Sequence, residues 1–125
     1  MQALVIDDSR AMRTILTRTL GGLGFEVSQA ADGLEALSQL RRSIPVVALV
    51  DWNMPNMNGL ELIVAIRRQR AYDGIKLMMV TTEGEMHQMA RALEAGADEY
   101  VTKPFTTDVI VGKLQILGFP VTEDA

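Results

Sequence analysis

The sequence predicts a doubly wound α/β fold, a three-layer sandwich in which a five-stranded parallel sheet lies between two layers of helices. Short apolar runs alternate with segments whose apolar residues recur at helical spacing. Three of the runs are almost unbroken in Val, Leu, Ile and Met, the pattern of strands covered on both faces. A length of 125 residues, 48 % of them hydrophobic, allows one domain with its own core and is too short for two ordinary ones.

Each element follows from local residues. Ala3–Ile6 is the first strand. Met12, Ile15, Leu16, Thr19, Leu20 and Leu23 then lie on one helical face, and Gly21, Gly22 and Gly24 are expected to stop that helix. Phe25–Val27 is the second strand, and Asp32 is suited to cap a second helix bearing Leu34, Leu37 and Leu40, with Pro45 beyond its end. Val46–Val50 is the third strand, and the third helix follows Asn58 with Leu60, Ile63 and Val64. Leu77–Val80 is the fourth, followed by a helix carrying Met86, Met89, Ala90 and Leu93 and closed by Gly96. Glu99–Val101 is the fifth, and its helix starts after Thr106 or Thr107, carries Ile110, Leu114 and Leu117, and closes at Gly118. Loops are short, and no repeat or linker interrupts the series. Five strands suit the flavodoxin-like order 2-1-3-4-5.

Composition narrows the chemistry. With no cysteine, disulfides, thiolate metal sites and thiol catalysis are excluded. A single histidine, His87, rules out a His-His zinc site within the chain and reads as a solvated helix residue. The net charge of -4, without a basic stripe, disfavours direct nucleic-acid binding. No apolar run reaches the ~20 residues of a membrane span. The opening Met1-Gln2-Ala3-Leu4 lacks a signal peptide's basic start, so a cytoplasmic location is expected.

In this architecture ligands bind beyond the carboxyl ends of the strands, near the point where strand order reverses. There the sequence places Asp7 and Asp8 after the first strand, Asp51 at the end of the third, Thr81 at the end of the fourth and Lys103 after the fifth. Read singly, each aspartate is an ordinary strand-end residue, and Asp7 or Asp8 is a ready cap for the first helix. Together they are costly: unit charges 4 Å apart repel by about 4 kcal/mol at an effective dielectric of 20. Lys103 offsets part of that. A hard divalent cation supplies the rest, and Mg²⁺ favours a few oxygen ligands plus water. A carboxylate beside Mg²⁺ is a nucleophile for phosphoryl groups, with lysine and hydroxyl donors to receive the phosphoryl oxygens. Asp7 and Asp8 are adjacent and suited to sharing a metal, whereas Asp51 stands alone and is the acceptor.

These residues closely resemble the receiver domain of two-component response regulators, the CheY-like family. The resemblance runs from Ala3 to about Leu117. It rests on Asp7-Asp8-Ser9-Arg10, Asp51-Trp52-Asn53-Met54-Pro55-Asn56-Met57-Asn58-Gly59, Thr81-Thr82-Glu83, and Ala95-Gly96-Ala97-Asp98-Glu99-Tyr100-Val101-Thr102-Lys103-Pro104-Phe105. It implies a receiver over residues 1–118 with a short tail at 119–125. Asp51 would take a phosphoryl group from a sensor histidine kinase or a histidine phosphotransfer protein. Mg²⁺ would be held by Asp8, Asp51 and the Asn53 carbonyl, with Asp7 acting largely through water. Thr81 and Lys103 would bond the phosphoryl oxygens, Tyr100 would be the switch aromatic, and the Lys103-Pro104 peptide would be cis. The surface of the fourth helix, fifth strand and fifth helix would then bind a downstream effector, so the protein is a switch and not a turnover enzyme. Thr82 stands where the family often has a smaller residue, which implies hindered access to the acceptor. Asn53 and Glu83 flank it as in stand-alone chemotaxis receivers, which implies fairly fast self-dephosphorylation.

Other features are ordinary. Trp52 reads as a partly buried packing residue, the methionines as core filler, and Arg67, Arg68 and Arg70 as the solvated end of the third helix. Residues 71–125 carry 4 basic and 9 acidic side chains, which implies a partner with a basic or mixed surface reached through Glu85 and Glu94. Three other readings compete with this one. An aspartyl phosphatase wants a second carboxylate where Asn53 stands. A flavodoxin-like redox carrier is opposed by the charge of Asp7-Asp8. The third is a receiver cut from a longer regulator with an output domain.

Overall fold

The computed structural model describes residues 1–82 and 87–123. Its strands are β1 (Gln2–Ile6), β2 (Glu26–Ala30), β3 (Val47–Asp51), β4 (Lys76–Thr82) and β5 (Glu99–Lys103). They form one parallel sheet in the order β2-β1-β3-β4-β5, the predicted topology. The helices are α1 (Arg10–Gly22), α2 (Gly33–Leu40), α3 (Gly59–Arg67), α4 (Met89–Ala95) and α5 (Thr107–Ile116). Glu83, Glu85 and Met86 lie outside the described residues.

Strand alternation divides the apolar residues into two cores. Ala3, Val5, Leu49, Met78, Val80 and Val101 pack with Leu16 and Leu20 of α1 and Ile110 and Leu114 of α5. Leu4, Ile6, Val50, Leu77 and Met79 pack with Ala36, Leu62, Ile63 and Ala92 of α2, α3 and α4. Every residue of β3 is buried, which is why its sequence is a continuous apolar run ending in one aspartate. Phe119 meets Phe25 edge to face at 5.8 Å, and Val121 is buried against the α1–α5 core.

The local signals at helix starts hold for three helices. Asp32 accepts from Glu35 N–H at 2.8 Å, Asn58 and Glu61 form a reciprocal capping box, and Thr106 caps α5. Elsewhere the structure corrects the sequence reading. Ser9, not Asp7 or Asp8, caps α1, leaving both carboxylates available to the site. The helix continues through Gly21 and Gly22, because Leu23 closes it with bonds to the Leu20 and Gly21 carbonyls. On the sheet edge, β2 extends to Ala30, since Ser28 and Gln29 face water while their backbones pair with β1. Ile15, Leu34 and Leu93, assigned to core faces, are exposed at 49 %, 58 % and 45 %; the buried stripes are narrower, and Ala36 takes the inner place on α2.

Arg67 is the largest departure. It does not end α3 in solvent. Its guanidinium donates to the carbonyls of Gly96 (3.0 Å), Tyr72 (3.1 Å) and Ile75 (2.8 Å) and to Asp98 Oδ2 (2.9 Å). Asp98 Oδ2 also accepts from Leu77 N–H at 2.8 Å. The foot of the sheet, at the amino ends of β4 and β5, is thus tied to α3.

Candidate functional site

The carboxyl ends of β1, β3, β4 and β5 meet at one pole. Asp7 follows β1 and is 1 % exposed. Its N–H donates to the Ala30 carbonyl (3.1 Å), and its Oδ1 accepts from Ser9 N–H (2.8 Å). Asp51 ends β3 and is also buried, while Asp8 sits exposed at the rim. Lys103 ends β5 and reaches between the two buried aspartates, with Nζ 3.1 Å from Asp51 Oδ1 and 3.3 Å from Asp7 Oδ2. The Lys103-Pro104 peptide is cis, as the resemblance implies.

One oxygen from each of Asp7, Asp8 and Asp51 lies within 4.8 Å of the others. Three carboxylates therefore face one ammonium. The electrostatic cost falls on Asp51, whose pKa is raised from 3.8 to about 6, first by burial and then by the charge of Asp7. Lys103 loses hydration by burial, which lowers its pKa, but the hydrogen bond and charge of Asp51 outweigh this and hold it above its ordinary value. An all-oxygen donor set with surplus negative charge fits a hard divalent cation.

The acceptor loop is shaped by close backbone approach. Trp52 N–H donates to the Val80 carbonyl (3.2 Å), and Gly59 N–H donates to the Trp52 carbonyl (2.8 Å). A Cβ on Gly59 would lie 2.4 Å from the Asp51 carbonyl oxygen, so only glycine lets α3 start here. Trp52 is more deeply buried than expected, at 5 % exposure. Asn56 takes the left-handed conformation at φ 68°, which asparagine tolerates.

The remaining predicted site residues surround this centre. Thr81 is buried on β4, one residue past the register partner of Asp51, and pairs with Thr102. Asn53 is exposed two residues after Asp51, and Thr82 is exposed at the end of β4. Tyr100 lies half-buried on β5, opposite Met79. His87 is exposed, consistent with a solvated residue.

A family model for the response regulator receiver domain matches residues 3–115. The chain belongs to the response regulator receiver family. Among its relatives, a chemotaxis protein CheY homolog of Campylobacter jejuni is 45 % identical over 121 residues, covering 94 % of this chain and 93 % of that one. Chemotaxis protein CheY1 of Helicobacter pylori is 42 % identical over 119 residues, covering 94 % and 96 %. The solved structure of Vibrio cholerae chemotaxis protein CheY4 aligns with a TM-score of 0.86 at 35 % identity, covering 92 % of this chain and 96 % of that one. This receiver is therefore of the CheY type, a two-component signalling protein. No helix among the described residues is long and apolar enough to cross a membrane.

Sequence reasoning missed several residues that shape the receiver's site. Arg13 donates from Nη1 to the Asp7 carbonyl at 2.7 Å and from Nε to Gln29 Oε1 at 3.1 Å. Lys113 of α5 pairs with Glu99 Oε1 at 2.9 Å and places Nζ 4.4 Å from the centre of the Tyr100 ring. Burial raises the Glu99 pKa, but the Lys113 hydrogen bond and Tyr100 N–H outweigh it and the net shift is downward. Gly59 lies in the Asp51–Gly59 stretch, and the close approach of the Asp51 backbone is what requires it.

Proposed function

We propose that this receiver is a phosphorylation-driven switch with Asp51 as its acceptor. The observation that carries the reading is the placement of Asp51, buried at the end of the central strand, beside two other carboxylates and bonded to Lys103. A carboxylate oxygen of Asp51 attacks the phosphorus of a phosphohistidine on a sensor histidine kinase or histidine phosphotransfer protein. The new O–P bond forms as the P–N bond breaks, and the electron pair returns to the imidazole, which takes up a proton.

Asp7, Asp8, Asp51 and the backbone carbonyl of Asn53 would hold Mg²⁺, with Asp7 acting largely through water. When bound, the ion supplies positive charge that lowers the repulsion between carboxylate and phosphoryl oxygens. Lys103 is already between Asp7 and Asp51 and donates to a phosphoryl oxygen; the Thr81 hydroxyl donates to another. As Thr81 moves, Tyr100 turns inward and the α4–β5–α5 surface shifts toward the form that binds an effector. Taking such a form from 1 % to 99 % needs about 5.5 kcal/mol of differential stabilisation, within reach of several charge-assisted hydrogen bonds.

The reading extends to a cytoplasmic receiver over residues 1–118 with a tail at 119–125, acting by one phosphoryl group per cycle and not as a turnover enzyme. The names of the relatives support chemotaxis as its pathway. The deciding experiment is incubation with acetyl phosphate and Mg²⁺, followed by intact mass and Trp52 fluorescence. Wild type gains one phosphoryl group and Asp51→Asn gains none. Equal labelling of the variant, or no divalent-cation affinity by calorimetry, refutes the assignment.

A further inference from the structure

We propose that Arg13 is a positioning residue that presets the Asp7-Asp8 pair for a divalent cation; the inference rests on the metal-dependent acceptor reading above. The acidic pair lies on the turn between β1 and α1. Three contacts fix the Asp7 end of this turn: Asp7 N–H to Ala30, Ser9 N–H to Asp7 Oδ1, and the Ser9 cap on Met12 N–H. The Ser9 bond closes a ring through the peptide that joins Asp7 to Asp8, but none of the three contacts engages that peptide's carbonyl oxygen. That oxygen is the Asp7 carbonyl, and it accepts from Arg13 Nη1 at 2.7 Å.

Holding this oxygen sets the backbone rotation on both sides of it, and so the direction in which Asp8 leaves the turn. The guanidinium is itself held, because Nε donates to Gln29 Oε1 at 3.1 Å near the end of β2. A rigid planar fork thus spans α1, the turn and the sheet edge, which a lysine cannot reproduce. Without a metal, the three carboxylates repel, and Asp8 can move outward by turning its exposed side chain or by rotation of the Asp7-Asp8 peptide. Arg13 opposes the peptide rotation by holding the Asp7 carbonyl.

The test is Mg²⁺ titration of the full chain, read by Trp52 fluorescence, for wild type, Arg13→Gln, Arg13→Lys and Gln29→Ala. Partners that orient metal ligands are typically worth about 10–100-fold in affinity. Arg13→Gln is expected to weaken Mg²⁺ binding about tenfold. Arg13→Lys recovers part of that by reaching the Asp7 carbonyl, and Gln29→Ala loses less than Arg13→Gln. In metal-free protein, amide exchange at Asp8 and Ser9 quickens in Arg13→Gln. Acetyl phosphate labelling of this variant falls at low Mg²⁺ and returns toward wild type when Mg²⁺ saturates.

A folded Arg13→Gln with wild-type Mg²⁺ affinity overturns the proposal, even if its melting temperature drops, since Arg13 then only stabilises α1. Should Arg13→Gln fail to fold, unchanged affinity in both Arg13→Lys and Gln29→Ala overturns it equally. Wild type that binds no Mg²⁺ refutes the acceptor reading and this inference with it. Wild type that binds, with Arg13 variants unaffected, refutes the inference alone.

Discussion

Replacing Asp51 by Asn removes a charge from a crowded site while keeping its shape, and the structure sets the size of the effect. With divalent cations chelated, the folded protein keeps a proton on Asp51 up to a pH of about 6, whereas the unfolded chain releases it near 3.8. Between these values the folded state binds more protons, so stability falls as pH rises, and the full penalty stands above pH 6. A gap of about two pH units corresponds to about 3 kcal/mol. That figure already includes the opposing pull of Lys103, and in the variant Lys103 keeps Asp7 at 3.3 Å. Asp51→Asn is therefore expected to exceed wild type by up to about 3 kcal/mol at neutral pH in chelator. The advantage fades toward zero as pH falls from about 6 to about 4. Urea unfolding followed by Trp52 fluorescence at several pH values measures this directly. Mg²⁺ then narrows or reverses the order, because a ligand at a hundred times its Kd adds about 2.7 kcal/mol to the form that binds it. An Asp51→Asn variant no more stable than wild type in chelator, or an advantage that ignores pH, would refute the electrostatic account of the site.

Gly59→Ala sets a methyl group 2.4 Å from the Asp51 carbonyl oxygen, a backbone atom that cannot step aside. A loss of about 2 kcal/mol or more is expected by denaturant titration, with slower acetyl phosphate labelling; wild-type values in both would show that α3 shifts freely. Arg67→Met strips donors from the Gly96, Tyr72 and Ile75 carbonyls and from Asp98, for about 3 kcal/mol of stability. Mg²⁺ affinity should be unchanged, because these groups sit at the far end of the sheet, and calorimetry on the same samples checks that separation. Lys113→Met removes a cation–π contact worth about 1 kcal/mol, so the Tyr100 ring populations should move about fivefold by side-chain NMR. Because Glu99 has its pKa depressed by this pair, the pair's stabilisation is present above the ordinary 4.5 and lost as pH falls through the folded value. The stability gap between wild type and Lys113→Met should therefore narrow in acid to what the cation–π contact contributes.

Asp7, Asp8, Asp51 and Lys103 could be assembled on paper because two rules sufficed. Apolar runs located the strands, and the parallel doubly wound class placed all their carboxyl ends together. Arg67 escaped the same logic. Apart from Asp98, its partners are carbonyls from two other segments, 72–75 and Gly96, and a carbonyl leaves no mark in a sequence, so a half-buried arginine reads like one more charge at a helix end. Arg13 was invisible for the same reason, since its anchor is the Asp7 backbone. Ile15, Leu34 and Leu93 were misplaced because helical spacing defines a stripe but not its width, which depends on how closely a helix meets the sheet. Edge strand β2 reads short in the sequence because three of its five residues, Glu26, Ser28 and Gln29, face water and carry no apolar signal. The flanking residue Glu83 and the partner-face residue Glu85 fall outside the described residues.

The knot around Arg67 also dictates where movement is permitted. Gly96, the first residue after α4, is gripped through its carbonyl and stacked so tightly on Arg67 that a Cβ there would lie 2.5 Å from Cγ. Asp98 N–H is stitched to Leu77 as well. The carboxyl end of α4 is therefore a fixed pivot, and any swing of that helix must grow in amplitude toward its amino end. On the proposed switch reading, a signal released at Asp51 would travel like a lever about a pinned heel, with the toe at Met89 sweeping the widest arc.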